Sequence, residues 1–101
     1  MIVLSDADRK LVEGIIKTHA NDQHYHVYVF GSRATGRAQK YSDVDIALMG
    51  EAPIPPKVIS TLAEAFEESS IPYFVDIVDC AKASDKLLDQ ILNEGELLIQ
   101  V

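Results

Sequence analysis

Asp43 and Asp45 flank Val44 at the start of an apolar run that continues to Met49, and Gly31-Ser32 closes an earlier β-branched and aromatic run, Val27 to Phe30. On a strand, residues two apart face the same way. Asp43 and Asp45 therefore present two carboxylates on one side while Val44, Ile46 and Leu48 face the other. Two carboxylates that close repel unless a cation sits between them, and an all-oxygen ligand set suits a hard ion such as magnesium. Gly31 lets the backbone turn sharply, and Ser32 offers a hydroxyl and an N–H at the start of a helical turn, a position that suits phosphate oxygens. A third acid, Asp76, lies within the apolar run Tyr73 to Val78, where an ionised side chain is expensive without a partner. If that strand neighbours the first pair, three acids converge.

Simpler readings compete with each of these. A lone Asp-x-Asp at a strand end is more often a solvated turn, and only Gly31-Ser32 upstream and Asp76 downstream reverse that preference. Asp76 could instead be a structural acid paired with Arg or Lys, and Asp79, nearer the strand end, reads as surface. Gly31 to Ala38 is not a P-loop, since Arg37 stands where Lys is required and Ala38 where a hydroxyl must meet magnesium. His24 and His26 lack a third metal ligand, and Cys80, the single cysteine, reads as structural. Of the four tyrosines only Tyr41, beside the acidic pair, is a candidate for stacking on a base. Arg37 and Lys40 are loop cations.

The elements that must position these residues follow from spacing. Leu11, Val12, Ile15 and Ile16 share one helical face, and Ser5 followed by Asp8 resembles a capping box, which predicts a helix from Asp6 to His19. Asn21 to His26 is polar and turn-forming. Ser32 to Tyr41 reads as a short helical turn followed by loop. After Pro53, Pro55 and Pro56, the apolar spacing of Val58, Ile59, Leu62, Ala63 and Phe66 predicts a second long helix. Leu87, Leu88, Ile91 and Leu92 predict another, N-capped by Ser84, and Leu97 to Val101 a short edge strand. The fold class expected is α/β (α+β), one domain over residues 1–101, with a small mixed β-sheet flanked by helices.

Composition bounds the function. The chain has 101 residues, 48% of them hydrophobic, with a net charge of −7. That charge opposes a polyphosphate backbone, so direct nucleic-acid binding is not expected. A triphosphate site would need divalent cations to offset the protein's own carboxylates. No apolar run reaches the roughly 18 residues that span a bilayer, and the first residues turn polar too soon for a signal peptide, so a cytoplasmic protein is expected.

Gly-Ser, a short connection, Asp-x-Asp and a later lone Asp in a strand resemble the DNA polymerase beta nucleotidyltransferase superfamily, whose smallest members are the minimal nucleotidyltransferases. The resemblance runs from Val27 to Asp79, and the flanking helices have the family's order. It implies the polymerase beta-like fold and two magnesium ions, with Asp43 and Asp45 ligating both and Asp76 completing the site of one. It further implies Gly31 and Ser32 around the β and γ phosphates of ATP or another nucleoside triphosphate, with Arg33 beside them. The activity implied is transfer of a nucleoside monophosphate to a hydroxyl, by in-line attack with pyrophosphate leaving. The partner implied is an all-helical HEPN-type protein, the pair forming a toxin and antitoxin in which the toxin, on a tyrosine hydroxyl, is adenylylated. Two other functions stand beside this: a catalytically silent nucleotide-binding module that occludes its partner, and a small-molecule nucleotidyltransferase of the aminoglycoside-modifying kind.

Overall fold

Ser5 opens the first helix by accepting a hydrogen bond from the Asp8 N–H at 3.1 Å, with Asp6 and Asp8 in the first turn and Lys17 and His19 in the last. The computed structural model describes residues 1–20 and 24–101. It orders the chain as α1 (Asp6–His19), β1 (His26–Phe30), α2 (Ser32–Thr35), β2 (Val44–Met49) and α3 (Pro56–Glu67). These are followed by β3 (Val75–Asp79), a 3₁₀ turn (Cys80–Lys82), α4 (Asp85–Glu94) and β4 (Glu96–Gln100). Pro56 starts α3 at a position where its missing N–H costs nothing. Ser84 caps α4 through the Leu87 N–H. The first residues of the turn expected over Asn21 to His26 lie outside the described residues.

Four strands form one mixed sheet in the order β3-β2-β1-β4. β1 is antiparallel to both β2 and β4, whereas β2 and β3 run parallel, joined by α3 as the crossover that parallel neighbours require. The strand expected at Leu97 to Val101 is thus the edge strand β4. The third strand begins at Val75, so Tyr73 and Phe74, expected within it, precede it.

Strand alternation divides the core into two layers. Val27, Val29, Val44, Ile46 and Leu48 bury one face of the sheet against Val12 and Ile16 of α1 and Leu62 and Phe66 of α3. The opposite face packs Phe30 and Ala47 against Ile91 of α4 and Cys80, with Tyr28, Met49 and Val78 alongside. This second layer is smaller, and the acids lie on its side of the sheet. No described helix is long and apolar enough to cross a membrane.

Candidate active site

Val44, Ile46 and Leu48 are wholly buried on one face of β2, which turns Asp45 to the other. In the parallel ladder Val44 pairs with Val75 and Asp45 with Asp76, so the two acids lie side by side on adjacent strands. Asp43 precedes β2 by one residue and is exposed, as is Asp76. Partial burial raises the Asp45 pKa above its ordinary value, and the charges of Asp76 and then Asp43 raise it further. Both neighbouring carboxylates therefore act on Asp45.

On the antiparallel side Asp45 pairs with Phe30, the residue before Gly31. Gly31 turns the chain with φ 73° and ψ −152°, a region essentially reserved for glycine. A Cβ placed there would lie 2.4 Å from Asp45 Oδ2, so glycine is needed for contact as well as for conformation. α2 follows, with the Gly31 carbonyl accepting from the Ala34 and Thr35 N–H groups and the Thr35 hydroxyl, each at 3.1 Å. Ser32, half-buried, heads this turn. Gly31, Ser32, Asp45 and Asp76 are thus assembled at one end of the sheet, with Asp43 beside them.

The donor set fits a hard divalent cation: three carboxylates, no nitrogen or sulfur, and an excess of negative charge that opposes closer approach. Among the described residues, no three His, Cys, Asp or Glu side chains stand close enough together to hold an ion as placed. The oxygen chemistry is suited to magnesium, while a fully closed cage is not preformed.

Three residues depart from the sequence's expectation. Asp76 is exposed, because the apolar layer on its face of the sheet does not extend over it. Asp79 is buried, at 8% exposure, where a surface residue was expected. Its carboxylate accepts from the Ile54 and Ala81 N–H groups, both at 2.9 Å, tying the proline-rich connection to the end of β3. The Ala81 contact is an Asx-type turn, a local signal at the strand end that could have flagged it.

Arg33 is the third. It is 5% exposed and faces inward, where its guanidinium donates to the carbonyls of Val3 at 2.8 Å, Lys40 at 3.2 Å and Ser42 at 2.9 and 3.1 Å. Its donors are engaged by backbone rather than presented to solvent. Its guanidinium carbon lies 4.2 Å from the centre of the Tyr73 ring. Tyr73 donates its hydroxyl to Asp8, and its pKa is pushed up to about 12 by burial and by that bond. Tyr41 is 66% exposed beside Asp43, His24 and His26 are exposed, and Cys80 is buried with its thiol pKa raised by burial and by Asp79.

The family model described as "Polymerase beta, Nucleotidyltransferase" matches residues 13–101, which include every acid and glycine of this site. The chain belongs to the polymerase beta nucleotidyltransferase family. Within the family it is 46% identical over 76 residues to the Probable protein adenylyltransferase MntA of Haemophilus influenzae, a match covering 75% of this chain and 66% of that protein. Among solved structures it resembles a toxin-antitoxin with AMP-PNP, at 25% identity and a TM-score of 0.77, covering 91% of this chain and 73% of the other. It also resembles a complex of a tri-AMPylated Shewanella oneidensis HEPN toxin with an MNT antitoxin, at 26% identity and a TM-score of 0.60, covering 90% and 71%. The polymerase beta-like fold that the resemblance implied is the fold of this family.

Proposed function

We propose that the chain transfers a nucleoside monophosphate, AMP foremost, from a nucleoside triphosphate to a hydroxyl on a HEPN-type partner protein, and serves as that protein's antitoxin. The observation that carries this reading is the register that sets Asp45 beside Asp76, with Asp43 adjacent and the Gly31-Ser32 turn against Asp45. Family membership, the adenylyltransferase name of the Haemophilus relative and the AMPylated toxin in the Shewanella complex support it. The cytoplasm, where ATP is abundant, is the compartment this reading requires.

In this reading Asp43, Asp45 and Asp76 would hold two magnesium ions, which would supply charge stabilisation for the attacking and departing oxygens. Ser32, with its own N–H and that of Arg33 at the opening of α2, receives the terminal phosphates, the Ala34 and Thr35 N–H groups being already bonded to the Gly31 carbonyl. Gly31 keeps that turn against Asp45, so phosphate and carboxylates meet without an intervening side chain. The chain's contribution is positioning and charge neutralisation rather than covalent chemistry.

The test is incubation of the protein with magnesium and ATP labelled at the α-phosphate in lysate of its source organism, beside Asp43→Ala, Asp45→Ala. A labelled macromolecule that disappears in the control supports transfer and gives the acceptor's size. No labelling above the control, from folded protein that still binds a partner, sinks the catalytic reading and leaves occlusion.

A further inference from the structure

We propose that Arg33 is a positioning residue that sets the separation of Asp43 and Asp76, rather than a ligand of phosphate; this rests on the reading of those acids as the metal-holding set. The Arg33 Nε and one terminal nitrogen both donate to the Ser42 carbonyl, at 3.1 and 2.9 Å. That carbonyl belongs to the peptide group that bears the Asp43 nitrogen, so the planar fork holds the backbone unit from which the first acid projects. The terminal nitrogen also reaches the Lys40 carbonyl, which restrains the loop ahead of it.

The guanidinium also meets the segment that leads into the neighbouring strand β3. Its carbon sits 4.2 Å from the ring centre of Tyr73, which immediately precedes Phe74 and β3. Phe74 supplies the carbonyl that accepts from the Val44 N–H at 2.9 Å, beside the first pairing of the parallel ladder. Tyr73 is itself anchored on α1 by its bond to Asp8. A reciprocal pair completes the attachment: the Val3 N–H donates to the Arg33 carbonyl at 2.7 Å, and Arg33 donates to the Val3 carbonyl at 2.8 Å. One buried side chain therefore joins the entrances of β2 and β3 to the N-terminal segment, at the point where their register decides which acids face each other. A phosphate ligand would need donors turned to solvent.

The test compares wild type with Arg33→Lys, which keeps the charge but loses the fork, and Tyr73→Leu, which keeps Arg33 but removes the ring, with Asp43→Asn as reference. In both variants the Val44 amide is expected to exchange roughly tenfold faster or more, while the β1–β2 ladder keeps its protection. Manganese binding, followed by loss of the free-ion paramagnetic resonance signal, is expected to weaken by roughly tenfold or more, toward Asp43→Asn. Unchanged Val44 protection and manganese affinity with weakened ATP binding would overturn the proposal and make Arg33 a phosphate ligand. Uniformly faster exchange across the sheet would overturn it too, leaving Arg33 a residue of general stability. Should Arg33→Lys fail to fold, Tyr73→Leu carries the same two readouts. If wild type binds no manganese, the reading of the acids fails by itself, and the exchange arm still decides whether Arg33 holds the strand entrance.

Discussion

Gly31 and Asp45 approach so closely that a methyl group on the glycine would lie 2.4 Å from Asp45 Oδ2. The Gly31 turn and the central acid are thus packed as one unit, and a side chain on the glycine must displace the acid.

Gly31→Ala is the direct consequence. It adds a Cβ in a backbone region that non-glycine residues occupy at a cost of about 1–3 kcal/mol, and it displaces the Asp45 carboxylate. The expected outcome is a lower thermal midpoint together with nucleotidyl transfer reduced by about a hundredfold or more, since misplacement near 1 Å is that costly. A melt and the labelled-ATP assay on the same preparation check it; full transfer would show that Asp45 can move without consequence.

Asp45 should also make stability pH-dependent when measured in chelator. Its pKa in the fold lies above 3.8, so the folded chain holds this proton more tightly than the unfolded chain does. The corresponding stabilisation is complete below 3.8 and declines as pH rises through the elevated value. Asp45→Asn should remove that decline and melt higher than wild type at neutral pH, while abolishing transfer. Urea titrations across the acidic range test the slope.

Magnesium should reverse the same repulsion. Adding it is expected to raise the melting temperature of wild type by binding the folded state alone, and to leave Asp43→Ala, Asp45→Ala unmoved. Chelation should stop transfer yet leave the chain folded, because its two apolar layers are built without the acids. Circular dichroism in chelator and a thermal-shift series in magnesium separate the two effects.

Asp79→Ala predicts the opposite pattern. It leaves the buried Ile54 N–H without its acceptor and removes the cap on the 3₁₀ turn, at a cost of about 2 kcal/mol. Transfer per folded molecule should persist, since among the described residues Asp79 bonds the structural amides of Ile54 and Ala81. Denaturant midpoints with activity normalised to folded fraction measure this; loss of activity in fully folded protein would assign Asp79 a role at the site.

Features that depend on neighbours in the chain were legible in the sequence. The α1 bounds Asp6 and His19, the Ser5 and Ser84 caps, the helical turn after Gly31 and the extent of β2 all follow from local spacing and capping chemistry. Arg33 and Asp79 resisted, because one partner of each comes from far along the chain: Val3 lies 30 residues from Arg33, and Ile54 lies 25 from Asp79. An arginine after Gly-Ser and an acid at a strand end look alike on the page whether they meet solvent or backbone.

By itself the sequence determined which side chains share a face and where the glycine turn must fall, since strand alternation and glycine's conformational range are properties of adjacent residues. Only the tertiary structure decided that Asp76 stands opposite Asp45, that it does so in the open, and that Arg33 is buried. The pairing of parallel strands is fixed by the α3 crossover and the rung between Val44 and Phe74, and burial by the segments that pack over each residue.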